Sequence, residues 1–309
     1  MPRKSKILIA YDGSPFSDSA LDQLAEVGLG ENVEAKVLTL ADLWIPTVDA
    51  FSTPLEGWYS SAYTAAQLHY HDVMVEAKRI SDKAATKIRT QFPNWKVTSQ
   101  TLNDSPAEGI LKVAEKWKPT LILMGSQGHS ALGRLLLGSV SHKVLSHAHC
   151  NVRIAKATTQ RSKSSRILVA VDGSKDSGLA IQSILRRTWG PDVQFQVVVV
   201  VDYRLSLAQS YQLSNGGKKL LAGQKFQGNL AERVAEQAAY KLASHGLKVG
   251  QTILEGNPNQ ILLEEAQRFK ATSIFMGSRG LNSIQRFFLG SVSLSLANHA
   301  PCSVEIVRH

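Results

Sequence analysis

Short apolar runs alternate with longer stretches in which apolar residues recur every three or four positions, and the alternation continues along the whole chain. The first run, KILIAY at Lys6–Tyr11, is too short for a helix and leads into Asp-Gly-Ser, so it predicts a strand that leaves a sheet through a tight turn. A helix is expected over roughly Phe16–Val27, a strand at Ala35–Ala41, a long helix over about Thr64–Gln91 and a third strand at Lys96–Leu102. A helix after Pro106, a strand at Thr120–Gly125, a helix from near Ser139 and the run NVRIA complete this series. ILVAV, VQFQVVVVV, KVGQTIL, TSIFMG and SVEIV repeat the strands in the second half. Strand and helix in alternation predict α/β architecture, with parallel sheets covered by helices on both faces. Val197–Val201, apolar at every position, suits a strand buried on both sides.

The two series are copies of one another. MGSQGHSALGRLLLGSVS at Met124–Ser141 returns as MGSRGLNSIQRFFLGSVS at Met276–Ser293, with ten of eighteen positions identical. The offset there is 277 minus 125, or 152; between KILIAYDGS at Lys6–Ser14 and RILVAVDGS at Arg166–Ser174 it is 172 minus 12, or 160. The eight-residue difference lies between these landmarks. Such self-similarity fixes the domain count. We expect two domains, 1–156 and 166–309, each of ordinary size, joined by a basic Ser/Thr-rich linker at 157–165. Each domain is expected to carry a five-stranded, mainly parallel sheet.

Composition adds limits. The 43% hydrophobic content and the length suit two full cores, and no apolar run approaches the ~20 residues of a membrane helix. MPRKSK enters a strand with no signal-peptide core behind it, so a cytoplasmic location is expected. The formal charge of +10 favours polyanionic ligands; the basic run Lys156–Arg166 reads as a solvated tether rather than a nucleic-acid arm. Cys150 and Cys302 occupy equivalent places and read as buried thiols, with a disulfide between them as the alternative.

The repeated glycines carry the chemistry. Each copy has Gly-x-x-Gly, nine residues, then Gly-Ser-Val-Ser: Gly125, Gly128, Gly138, Ser139, Val140 and Ser141 in the first, Gly277, Gly280, Gly290, Ser291, Val292 and Ser293 in the second. A glycine where a strand leaves the sheet lets backbone approach a ligand, and Gly-Ser opens a helix whose first amides and dipole favour an anion. The serine hydroxyls are candidate donors to phosphate oxygens. Asp12 and Asp172 end the first strand of each copy, where a ligand role competes with capping of the next helix or turn. Arg134 and Arg286, equivalent within the spacer, are candidates for phosphate pairing or for exposed loop positions. His129 has Leu281 as its counterpart, which argues against a shared catalytic role, and His69 and His71 read as solvated helix rather than metal ligands.

With Asp12 and Asp172, both glycine patterns and the endings HAHCNV and HAPCSV, the chain resembles a tandem universal stress protein, a duplicated member of a family of adenine-nucleotide-binding α/β domains. The resemblance implies ATP as the ligand of both copies, with Mg²⁺ as a candidate companion ion, and a cytoplasmic stress-response switch or binding module as the function. It implies that the aspartates lie near adenosine, that the glycine loop wraps phosphates and ribose, and that Ala41 and Val201, ending the second strands, touch adenine. It implies Rossmann-like domains packed as an intramolecular pseudo-dimer, since single-domain relatives pair their last strands across a two-fold axis and Val152–Ala155 and Val304–Val307 are in place to do so within one chain, covering two open strand edges. A protein partner and a homodimer of tandem chains are compatible with it; specific nucleic-acid binding and membrane association are not expected. Slow ATP hydrolysis or phosphate transfer is the alternative, although no equivalent base and orienter stand out and GxxxxGK[ST] is absent. Adenylation chemistry is a third reading, because DGSKDS at Asp172–Ser177 is similar to the SGGxDS loop of ATP pyrophosphatases; the first copy reads DGSPFS.

Some positions depart from the pattern. Asp104-Ser105-Pro106 stands where the second copy has Gly256-Asn257-Pro258, His149 replaces Pro301, and Ala41 is smaller than Val201, so weaker binding is expected in the first copy. The insertions Asp42–Tyr63, rich in aromatics, and Tyr203–Phe226, polar and basic, are candidate lids or partner surfaces.

Overall fold

The computed structural model describes residues 5–43, 56–128, 137–156, 164–202, 217–281 and 289–308, with backbone alone for 56–63 and 217–227. In the first repeat the elements are β1 (Ser5–Ala10), α1 (Pro15–Asp22), β2 (Val33–Ala41), α2 (Glu56–Gln91), β3 (Lys96–Asn103), α3 (Pro106–Trp117), β4 (Leu121–Gly125), α4 (Ser139–His147) and β5 (Asn151–Ala155). The second has β6 (Arg166–Ala170), α5 (Lys175–Leu185), β7 (Gln194–Val201), α6 (Gly217–Ala243), β8 (Lys248–Glu255), α7 (Pro258–Arg268), β9 (Ser273–Gly277), α8 (Ser291–His299) and β10 (Ser303–Val307).

Two boundaries differ from expectation. The helix foreseen over Phe16–Val27 stops at Asp22 and continues as a 3-10 turn, Leu24–Val27, where two buried side chains three residues apart suit three residues per turn; Gly28, at φ 72°, then ends it. The long helix foreseen from Thr64 begins at Glu56, so it takes up part of the aromatic insertion, and α6 likewise takes up Gly217–Phe226 of the other. Trp44 and Phe51 of the first insertion, and most of the 157–165 linker, lie outside the described residues.

The ten strands of the described residues form one sheet in the order β3-β2-β1-β4-β5-β10-β9-β6-β7-β8. Pairing within each repeat is parallel, as in Ile9 beside Val37 and Leu123. Among the described residues the single antiparallel pairing joins β5 to β10, with Val152, Arg153 and Ile154 opposite Ile306, Glu305 and Val304. Each half therefore keeps the doubly wound order 3-2-1-4-5, whose direction of travel reverses between its first and fourth strands. Ligands of such sheets bind at the carboxyl ends of the strands at that switch.

Alternation along the strands sorts the side chains into layers. Leu8, Ile122, Val152 and Ile154 face α3 and α4, and they merge with Leu168, Ile274, Val304 and Ile306 under α7 and α8 into one core that runs through the junction. Ile7, Ile9 and Leu123 face α1 and α2, and Ile167, Val169 and Phe275 face α5 and α6. Among the described residues no helix is long and apolar enough to cross a membrane.

Candidate functional site

In the second repeat eight of the predicted positions line one cavity of about 690 Å³: Asp172, Val201, Gly277, Gly280, Gly290, Ser291, Val292 and Ser293. The volume is that of a small-molecule site, and the cavity lies at the carboxyl ends of β6, β7 and β9, at the switch point. Its apolar floor comes from Val199 and Val201 on β7 and from Val234 on α6, and its polar wall from Asp172 and the amino end of α8.

The local sequence explains why that helix end is open. Side chains cap α1, α5 and α7, since Ser14, Ser174 and Asn257 accept from the amides of Ser17, Ser177 and Asn259. Glycine supplies the N-cap of both α4 and α8, at Gly138 and Gly290, and neither has a side-chain cap. The first intrahelical bonds there belong to His142 and Leu294, at 2.8 and 2.9 Å from the glycine carbonyls. The amides of residues 139–141 and 291–293 therefore precede any intrahelical acceptor and carry the positive end of the helix dipole. Ser139 and Ser291 are exposed at that end.

Asp12 and Asp172 do not cap the helices that follow them. Asp12 Oδ1 accepts from the Ser14 amide and Asp172 Oδ1 from the Ser174 amide, both at 3.0 Å, and each closes an Asx turn. The second carboxylate oxygen of Asp172 accepts from Leu281 N at 3.1 Å and thus ties the first strand to the glycine loop. A Cβ on Gly128 would lie 2.9 Å from Asp12 Oδ2, and one on Gly280 2.7 Å from Asp172 Oδ2. The second glycine of each motif therefore leaves space for a carboxylate.

Some of these residues also hold the scaffold. A Cβ on Gly125 or Gly277 would meet helix backbone, at 2.8 Å from the Phe16 carbonyl carbon and 2.5 Å from that of Asp176, so these glycines let α1 and α5 sit close on the sheet. The Ser141 and Ser293 hydroxyls donate at 2.9 Å to the carbonyls of Gly125 and Gly277 and fasten the first helical turn to the strand end. Ser139, Val140 and Ala41 occupy the places equivalent to Ser291, Val292 and Val201, and Ala41, like Val201, is the buried last residue of its strand. Arg134, Arg286 and His129 lie outside the described residues, whereas His69 and His71 are exposed on α2.

Sequence reasoning missed Arg279. It lines the cavity while its Nε donates at 2.9 Å to Asp176 Oδ2, which also accepts from Ser278 Oγ at 2.7 Å. The first repeat has Phe16 and Gln127 at these positions, so the cation belongs to the second site alone. A basic residue inside Gly-x-x-Gly was the available signal. Gly256 explains another difference: at φ 137° it adopts backbone that L residues avoid, whereas Asp104 pairs with Lys112 at 2.7 Å, which holds its carboxyl below the usual range.

The sequence pattern of the Universal stress protein family matches this chain twice, over residues 4–156 and 163–308. The chain belongs to that family. It is a tandem universal stress protein, and single-repeat relatives align with about half of it. A universal stress protein of Methanocaldococcus jannaschii is 30% identical over 152 residues, which make up 49% of this chain and 81% of the relative. A putative universal stress protein of Staphylococcus aureus is 33% identical over 144 residues, 46% of this chain and 82% of its own. The crystal structure of a universal stress protein from Archaeoglobus fulgidus is similar over 99% of both chains, with a TM-score of 0.66 and 26% identity.

Proposed function

We propose that this universal stress protein is a cytoplasmic ATP-binding switch with a nucleotide site in each of two units, 1–156 and 166–309. One observation carries the reading: α4 and α8, at equivalent places, begin with glycine and no side-chain cap, beside a strand-end aspartate and a glycine loop. Uncapped amides at the positive end of a dipole suit phosphate oxygens. The Val199 and Val201 floor suits a flat apolar base, and Asp172 suits ribose hydroxyl donors. Arg279 lines the second site, where the first repeat has Gln127, and Val201 offers a larger apolar contact than Ala41, so the second site binds more tightly. Mg²⁺, where it accompanies the nucleotide, would neutralise phosphate charge. This chain's own residues act by binding and orienting, and occupancy would favour the conformation that holds the helix end, the aspartate and the floor together.

The test is the nucleotide content of freshly purified protein, released by denaturation and identified by chromatography with mass spectrometry. The reading expects adenine nucleotide at close to two per chain, with the first site emptying sooner on dialysis. ADP or AMP in place of ATP would favour hydrolysis. No binding at millimolar ATP with magnesium would overturn the reading.

A further inference from the structure

The two repeats meet at a buried charge pair. Arg153 and Glu305 are equivalent residues, at the same offset of 305 minus 153, or 152, that relates the glycine motifs, and they lie directly opposite each other in the β5–β10 ladder. The pair therefore marks the pseudo-two-fold axis. Both side chains are 0% exposed, with Arg153 Nη1 at 3.6 Å from Glu305 Oε2. Arg187 makes a fork on the same carboxylate and reaches into the first repeat to donate to the Val27 carbonyl at 2.8 Å. Phe275 lies beneath both guanidinium groups, at 5.9 Å from Arg153 and 4.9 Å from Arg187. Among the described residues no guanidinium nitrogen of Arg153 has a hydrogen-bond partner, so Arg153 is held there by charge.

The neighbouring positions do not distinguish the repeats. Val152 and Ile154 are equivalent to Val304 and Ile306, identical in type and fully buried. Were β5 to pair in this register with β5 of a second chain, the Val152 and Ile154 contacts would be reproduced, Arg153 would face Arg153, and the end bonds that Ser303 makes to Lys156 N and Gln23 would be lost. Pairing β10 with β10 would place Glu305 against Glu305. Buried like charges directly opposite in a ladder are destabilising. Specificity of this kind needs an element that penalises the wrong partner, and a buried ionic group that fixes register and partner is its best-attested use.

We infer that Arg153 and Glu305 form a pairing code, by which the closing strand of the first repeat accepts the second repeat of its own chain and rejects a second copy of itself. Duplication of one sequence gives two edges whose contacts alone do not tell each other from themselves; the tether favours the partner in the same chain, and opposite charges at the dyad add discrimination at the contact itself.

The full-length chain tests this with two variants. Arg153→Glu places acids on both sides of the dyad and is expected to undock the repeats, read as a larger radius of gyration by small-angle scattering. Arg153→Met/Arg187→Leu/Glu305→Leu removes the charges without leaving one unpaired and is expected to keep the fold. Refolded by dilution from urea, this neutral variant is expected to associate chain to chain at least about tenfold more strongly than the native protein, in light scattering across a concentration series. A neutral variant with the native association state would overturn the inference. So would Arg153→Glu chains as compact as the native protein.

Discussion

Glycines that look alike in the sequence do different work in the fold. A Cβ at residue 277 would sit 2.5 Å from helix backbone, which cannot yield as a flexible side chain would, whereas Gly178 inside α5 has nothing within 4 Å. We expect Gly277→Ala to destabilise the protein by about 1–3 kcal/mol and Gly178→Ala to stabilise it by about 0.5–1 kcal/mol, both read as urea midpoints at unchanged m-value. Loss of nucleotide in a Gly277 variant would therefore report the displacement of α5 as much as the ligand. The cysteines are free, as their equivalent places suggested. Burial pushes the Cys302 thiol up to about 12, and the nearby Arg153 and Lys156 charges offset only part of that. A folded pKa raised above the unfolded value leaves stability unaffected below about pH 9 and lowers it as the unfolded thiol ionises between pH 9 and 12. Each unit in that window costs at most about 1.4 kcal/mol per thiol. Cys302→Ala is expected to flatten the stability profile above pH 9, and native Cys302 to resist alkylation at pH 8 until urea unfolds the chain.

At the scale of elements, helix starts divide into those closed by a side chain and those left open. Ser174→Ala removes the acceptor for the Ser177 amide and is expected to cost about 1 kcal/mol in urea unfolding. Ser291→Asp acts oppositely. An acid in the first turn suits the dipole, so stability is expected to hold or to rise by about 0.3–1 kcal/mol, while the same charge repels phosphate. Nucleotide counting should then fall by one per chain, with Ser139→Asp doing the same in the first repeat. Unchanged stoichiometry in both would remove phosphate from the ends of α4 and α8. Element types were legible from period alone, since Val197–Val201 and its like are too short and too apolar for surface helices. Boundaries were less so: α2 starts at Glu56 within a stretch with no apolar period of its own, and α1 gives way at Asp22 to a turn that its buried partners select.

The described strands form one sheet, with the second-repeat cavity on one side of a charged seam between the repeats. Arg187 bridges the repeats through Glu305 and the Val27 carbonyl, and Thr188 N donates to the Gly28 carbonyl at 2.9 Å beside it. Arg187→Ala leaves Glu305 with Arg153 alone and is expected to cost about 3 kcal/mol or more, measurable in urea. By itself the sequence determined the duplication, the strand and helix alternation and the motif positions that line the second repeat's cavity, all of which follow from period, glycine spacing and an internal copy read along the chain, while the pairing of the closing strands was expected from the family resemblance. Only the tertiary structure decided that Gly125 and Gly277 face helices, that Arg279 joins the cavity while paired to Asp176, and that Arg153 meets Glu305 at the dyad. Each of those depends on which residue, a hundred or more positions away, the sheet order brings within a few ångströms.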